Sequence, residues 1–465
     1  MTRRLLFNAF AHITPNHHTH GYWRHPDGRI QRDYHRLQPW IDLARTVERG
    51  KFDTVFLADV VGVYDTFRGN GDTAIRTGMQ FPSLDPASIV SALGAATEHL
   101  GFAVTSSVIQ SHPFDFARKM STLDHLTGGR VAWNIVTSYL DNAARNFGAA
   151  RLTDHDERYR WAEEYVDVAY KLWEASWEDD ALVADPERGV FADPAKVHKI
   201  HHRGARYAVE GPHLSEPSPQ RTPLLFQAGG SEAGRDFAAR HAEATFIASR
   251  TPESAARTVA DLRARARALG RADDELKIIV ALAPVIGPTE AEALRRRSEI
   301  KAWLSLEALQ AFYSGSLGVD LADIDPARPL SDLLATNHVR GNVRAFVESA
   351  PKHAFTFGDL LKETNSARFA GTPEQIADEV ERYAAAGVDG FNVFPVATLG
   401  WWDEFVDEVV PVLQRRGLMQ TAYTPGTLRE KLHGRGAFLP DHHPARRTRA
   451  AVRALDAVDT VPRPA

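Results

Sequence analysis

The sequence predicts an α/β protein built as a (β/α)8 TIM barrel, and three observations lead there. Eight short apolar runs rich in β-branched and aromatic residues recur along the chain, the intervals between them carry helix punctuation, and two intervals are long enough to be insertions. The runs are Leu5–Phe10, Thr54–Asp59, Gly101–Ser106, Arg130–Val136, Leu224–Gly229, Ala244–Ala248, Leu276–Ile286 and Gly390–Val396. Parallel strands buried on both faces read as nearly continuous apolar segments, and these do.

The intervals start and stop as helices should. Thr251-Pro252-Glu253 and Thr372-Pro373-Glu374 each put a capping hydroxyl before a proline at the first helical position, then an acid at the positive dipole end. Gly270 and Gly387 suit the left-handed residue past a helix end. Asp154–Trp177 reads as a long amphipathic helix opened by Asp154 or Asp156. The proline-, glycine- and histidine-rich stretch 178–223 is expected as an insertion after strand four, and 303–368 as a second after strand seven. Long barrel insertions build the walls of the mouth. The chain is thus expected to be one barrel domain over 1–436. An arm over 437–465, rich in Arg, Ala and Pro, is expected to pack on a neighbouring subunit of a homo-oligomer, a dimer or tetramer.

Composition narrows the chemistry. The absence of cysteine removes disulfides, thiolate metal sites and cysteine nucleophiles together. A formal charge of −5 favours neither nucleic acid nor an anionic membrane as partner. No window approaches the ~20 apolar residues of a membrane span. The N-terminal apolar run is short and leads into histidines and a proline, not a cleavage site, so a cytoplasmic protein is expected.

In such a barrel the functional groups follow the C-terminal ends of the strands. Those positions hold His12, His17, His18, His20 and His25 after strand one, and Asp59 and Tyr64 after strand two. Strand three ends in Thr105-Ser106-Ser107, strand four in Asn134, Thr137, Ser138 and Tyr139, strand five in Gln227-Ala228-Gly229-Gly230-Ser231, and strand eight at Pro395. A mostly neutral, hydrogen-bonding, aromatic rim suits a large heteroaromatic ligand. The strand–glycine–helix junction at Ala228–Glu232 offers backbone N–H groups and a helix dipole to a phosphate, although many such junctions are simply tight turns. His18-x-His20 would fit a divalent metal, as in barrel hydrolases, but Asn134 and Pro395 stand where that class needs further ligands, so no metal is expected. The remaining reading of His18 and His25 is that they solvate a loop. No G-x-G-x-x-G follows a strand, so electrons for any redox chemistry must arrive on a diffusible cofactor.

At these residues the chain resembles the bacterial luciferase-like superfamily, and within it the nitrilotriacetate monooxygenase component A group, which includes dibenzothiophene sulfone, dimethyl sulfide and long-chain alkane monooxygenases. The matching stretches are Gly21–Pro26 (GYWRHP), Glu48–Asp65, Met120–Val136, His155–Tyr159 (HDERY), Ala192–His198 (ADPAKVH), Gly211–Gly230 and Arg429–Gly436 (REKLHGRG). The resemblance implies FMN, as FMNH2 from a separate NAD(P)H:flavin reductase, and O2 forming a C4a-peroxyflavin that oxygenates a small organic substrate. It implies that Asp59 and Thr105 contact the isoalloxazine and ribityl region, with Asn134 at the ring. His155, Tyr159 and Ser231 would hold the phosphate, with Gly230 shaping the turn. His155 and Tyr159 are four apart and share a helical face. It further implies catalytic roles for His17, steering or protonating the peroxide, and for Tyr139. Tyr139 follows V-T-S where the alkane pattern has a second histidine, and resembles the dimethyl sulfide pattern. Structural readings stay open beside these: a turn cap for Asp59, a core residue for Tyr159, a plain N-cap for Ser231, a loop histidine for His17. A peroxyflavin oxidises soft sulfur or amine lone pairs more readily than unactivated C–H bonds. The expected order of substrates is therefore sulfur compounds, then alkanes, then aminocarboxylates. The rivals are an F420-dependent oxidoreductase on the same barrel, a non-catalytic flavin-binding protein and a metal hydrolase.

Overall fold

The computed structural model describes residues 4–15, 18–26, 32–335, 355–362, 369–396 and 400–459. Eight parallel strands close into a barrel in sequential order: β1 Leu6–His12, β2 Thr54–Ala58, β3 Gly101–Ser107, β4 Val131–Val136, β5 Leu224–Gln227, β6 Ala244–Phe246, β7 Lys277–Leu282 and β8 Gly390–Val393, with β8 back beside β1. All eight apolar runs become barrel strands. The one run that divides is Leu276–Ile286. Pro284 has no N–H for a central ladder, so after Leu282 the chain leaves the barrel, and Pro284–Ile286 pairs instead with Phe369–Gly371.

The helix punctuation works as read. Thr251 and Thr372 each form a capping box with the residue three positions on, and Gly270 and Gly387 take positive φ values of 79° and 90°. The helix His155–Tyr170 runs into a π-turn, Lys171–Ala175, that buries Trp173. Within the tail, Pro444–Asp459 is a helix lying on that π-turn, where Arg446 and Arg449 both reach Glu174 at 3.3 Å. Among the described residues no helix is long and apolar enough to cross a membrane.

Two features position the site. Inside the barrel, Phe10, Phe56, Phe226 and Phe246 form a floor below the mouth, with Phe10 stacked 5.1 Å from Phe56 and 4.1 Å from Phe394. Below that floor Thr54 donates to Asn8 Oδ1 at 2.8 Å, and Asn8 donates to Asn392 Oδ1 at 2.9 Å. Over the mouth, the helix Leu306–Leu317 of the second insertion, capped by Ser305 and ended by Gly318, buries Phe312 and Leu309 against Tyr64, Phe67, Leu140 and Ala143. The first insertion forms two small antiparallel hairpins, Leu182–Asp185 with Val190–Ala192 and His202–Arg203 with Ala208–Val209.

Candidate active site

At the C-terminal end of the barrel lies a cleft of about 330 Å³ lined by Asp59, Thr105, Asn134, Tyr139, His155, Tyr159, Gly230 and Ser231. That volume is at the lower end of the range of small-ligand sites. Eight of the nine residues expected from the sequence therefore meet in one cavity. The ninth, His17, lies outside the described residues.

One end of the cleft is a glycine cradle. Ser231 caps the helix Glu232–His241, its Oγ accepting from Gly234 N–H at 3.1 Å. The capping reading of Ser231 is therefore correct, and the residue also lines the cleft. The Tyr159 hydroxyl reaches this junction between Ser231, Gln227 and Thr137, and burial pushes its pKa up. A Cβ on Gly229 would stand 2.7 Å from that hydroxyl and 3.0 Å from Gly234 Cα, and one on Gly234 would meet the hydroxyl at 2.6 Å. The close approach that only glycine permits thus falls on Gly229 and Gly234. Gly230 is exposed and takes no positive φ. His155 packs 5.3 Å from the Tyr159 ring, and Arg158, on the same helix, is 3% exposed and anchored to Thr153 O at 2.6 Å.

The middle of the cleft is polar and incompletely satisfied. Asn134 on β4 donates from Nδ2 to Thr105 Oγ1 on β3 at 2.9 Å, while its buried Oδ1 has no hydrogen-bond partner among the described residues. A buried amide oxygen left unpaired costs about 1–3 kcal/mol, which a ligand donor would recover. Just past β2, burial pushes the Asp59 carboxyl up to about 6, against a hydrogen bond from Gln110 that favours the ionised form. Ser138, which bonds Ser107 Oγ at 2.9 Å, is held at φ 59°. Such a left-handed backbone costs ~1–3 kcal/mol and is found where a loop is shaped for a site.

The other end is aromatic. His18 sits 5.1 Å from Phe394 and 6.2 Å from Phe10, beside Phe312 and Phe246. The expectation that His18 solvates a loop is corrected here: it lines the cleft. His25 does stack outside it, 4.8 Å from Tyr22. Tyr139 and Tyr64 share a short hydrogen bond, and Tyr64 donates on to Gln80 Oε1 at 2.8 Å. Burial pushes Tyr139 up to about 12, so the hydroxyl stays protonated. His12, bonded to Ser83 Oγ at 3.0 Å, is pushed down to about 3 by burial and then by His18, and remains neutral.

Residues 7–390 match the luciferase-like monooxygenase family. The chain belongs to that family. It is 44% identical over 451 residues to the long-chain alkane monooxygenase of Geobacillus thermodenitrificans, covering 97% of this chain and 99% of that one. It is 42% identical over 457 residues to the dimethyl-sulfide monooxygenase of Hyphomicrobium sulfonivorans, covering 97% and 95%. Among solved structures, a riboflavin lyase crystallised with modified FMN and riboflavin superposes with a TM-score of 0.89 at 37% identity, covering 96% of this chain and 100% of that chain.

In this luciferase-like monooxygenase, sequence reading missed several residues that the barrel brings to the cleft. Arg158 lies inside the HDERY run that marks the family, and a cation beside His155 and Tyr159 was a signal available in the sequence. Gln80, Gln110 and Phe312 carried none, because they stand in loops and in the insertion helix that only folding carries to the mouth.

Proposed function

We propose that the cleft binds reduced FMN and that this monooxygenase transfers one atom of O2 to a small uncharged organic substrate, an organosulfur compound before a long-chain alkane. The observation that carries the reading is the union, in one cleft, of a glycine cradle at a helix N-terminus, an orphaned amide oxygen and an aromatic chamber. The donor set fits the cofactor. Ser231, Tyr159, His155 and Arg158 would hold a phosphate, with charge-assisted bonds from the arginine. Asn134 Oδ1 would accept from a ring N–H, and Asp59 and Thr105 would flank the ring and ribityl chain. Bound reduced flavin supplies two electrons and the activation of O2, one oxygen atom going to the substrate and the other to water.

The chain's own residues do the rest. The helix Leu306–Leu317, through Phe312, and the Phe10 and Phe246 rings exclude water from the chamber. Tyr139, hydrogen-bonded to Tyr64, lines the chamber as a protonated hydroxyl. His18 is the imidazole on the substrate side, and His17 remains part of the proposal as a proton donor or acceptor. No nicotinamide motif accompanies the barrel, so FMNH2 comes from a separate NAD(P)H:flavin reductase. The sulfur preference rests on the names of the relatives and on the greater nucleophilicity of a thioether lone pair.

Two results test this. With a flavin reductase, NADH, FMN and 18O2, a dialkyl sulfide should yield a sulfoxide carrying one 18O. Unlabelled product, or turnover with F420H2 in place of FMNH2, overturns the proposal. Ser231→Asp should bring a carboxylate against the phosphate and weaken FMNH2 binding roughly tenfold or more, a loss of about 1.4 kcal/mol. Unchanged affinity in anaerobic titration would place the phosphate elsewhere.

A further inference from the structure

Gln110 lies just past β3, in a tight turn closed by its own N–H on Ser107 O at 3.0 Å. Its side chain folds back into the cleft. Oε1 accepts from the Ser107 backbone N–H and from Ser106 Oγ at 3.1 Å, while Nε2 donates to Asp59 Oδ2 at 3.1 Å. A backbone N–H can only donate, so the amide end at Ser107 must be oxygen and the end at Asp59 must be NH2. The turn therefore dictates which way the amide points. Ser107 is fixed in its turn by the hydroxyl of Ser138, which stands two residues past β4 with a left-handed backbone. A continuous set of contacts thus runs from the end of β4, through β3, to the carboxylate at the end of β2.

We propose that Gln110 is a positioning residue for the cofactor: it grips the Asp59 carboxylate by one oxygen, aims the remaining lone pairs into the cleft, and keeps the group ionised for the flavin. This rests on the reading above in which Asp59 contacts the flavin. The groups that act on Asp59 support it. Burial and the nearby Asp85 favour the neutral acid, whereas Gln110 and the Val60 backbone N–H favour the carboxylate. His12, at the end of the adjoining strand β1, is neutral and lends no charge. Of the two stabilising contacts, the Gln110 amide is the larger. A carboxylate near the balance point of these effects is sensitive to the loss of a single donor.

A turn-closing role alone would be satisfied by the Ser106 and Ser107 contacts, so a test must separate the two ends of the amide. Gln110→Glu does so: it still accepts from both serines, but it has no N–H for Asp59 and sets acid against acid. Gln110→Met removes both functions without adding charge, and covers the case in which the acidic variant folds poorly. FMNH2 is titrated anaerobically into each variant from about pH 5 to about pH 9, a span that covers a perturbed carboxyl. Asp59→Asn reports the titration of the flavin and its phosphate, and is the reference subtracted from the others. The expected result is an Asp59-dependent transition in the parent protein that moves up by about one unit or more in both Gln110 variants, with FMNH2 binding about twofold or more weaker at neutral pH. If neither variant moves the transition while Asp59→Asn abolishes it, Gln110 only closes the turn and the inference falls alone. If Asp59→Asn leaves affinity and pH profile untouched, Asp59 is not a flavin contact and both readings of that residue fall together.

Discussion

Gly229→Ala should weaken FMNH2 binding by roughly 5- to 150-fold, the equivalent of the ~1–3 kcal/mol that overpacking costs. The added methyl would stand 2.3 Å from Gln227 Nε2, 2.7 Å from the Tyr159 hydroxyl and 3.0 Å from Gly234 Cα. Two of these are ends of side chains that can retreat, but retreat moves the hydroxyl proposed to meet the phosphate. The third is backbone in the first turn of the helix Glu232–His241, which opens at the cradle. Gly230→Ala is the matched comparison. That residue is exposed and has no positive φ, so its effect should be several-fold smaller. Anaerobic titration of both variants measures this, and equal losses or none would mean that the cradle is not the phosphate site.

Arg429→Ala should destabilise the fold by about 3–5 kcal/mol, because it strands a buried partner charge. Arg429 is 2% exposed at the closed end of the barrel. Its guanidinium donates to both Glu243 oxygens, at 2.7 and 2.9 Å, and to the carbonyls of Gln220, Thr222 and Ala437. Glu243 in turn accepts from Leu225 N–H on β5. Arg429→Lys keeps the charge but loses the planar fork, and should still lose a large part of that stability. Denaturant unfolding reads both. A loss under ~1 kcal/mol in Arg429→Ala would show that the pair is not holding the C-terminal segment to the barrel. The pH dependence has a definite sign. Burial alone would raise the Glu243 pKa from 4.5, but Arg429, together with His433 and the Leu225 N–H, outweighs it and holds the group at about 2. A depressed folded pKa means that this contribution is complete above about 4.5 and is lost as the pH falls toward 2. The REKLHGRG run is thus a lock on the closed end, remote from the chemistry, although it is one of the stretches that carry the family resemblance.

The division of labour between sequence and tertiary structure can be traced through particular residues. Thr251 and Thr372 were legible as caps because a capping box is completed within four residues. The eight strands were legible because burial on both faces leaves little room for polar residues. Asp59, Thr105, Asn134 and Ser231 were legible because a barrel puts whatever stands in or just past the C-terminal ends of its strands at one mouth. The break at Pro284 follows from proline chemistry and was readable in principle, but the apolar run around it concealed it.

What folding alone decided was which loop residues meet. Only the closed barrel sets Gln110 against Asp59, fifty-one residues away in the chain, or brings the helix Leu306–Leu317 down on Tyr64 and Tyr139. Only the packing of the helix His155–Tyr170 against the start of Glu232–His241 makes Gly229 and Gly234, rather than Gly230, the positions where a side chain has no room. The physical reason is the same in each case. Periodicity and capping are local and are written in neighbouring residues, whereas steric room, amide orientation and the environment of a buried carboxyl depend on atoms that arrive from distant parts of the chain.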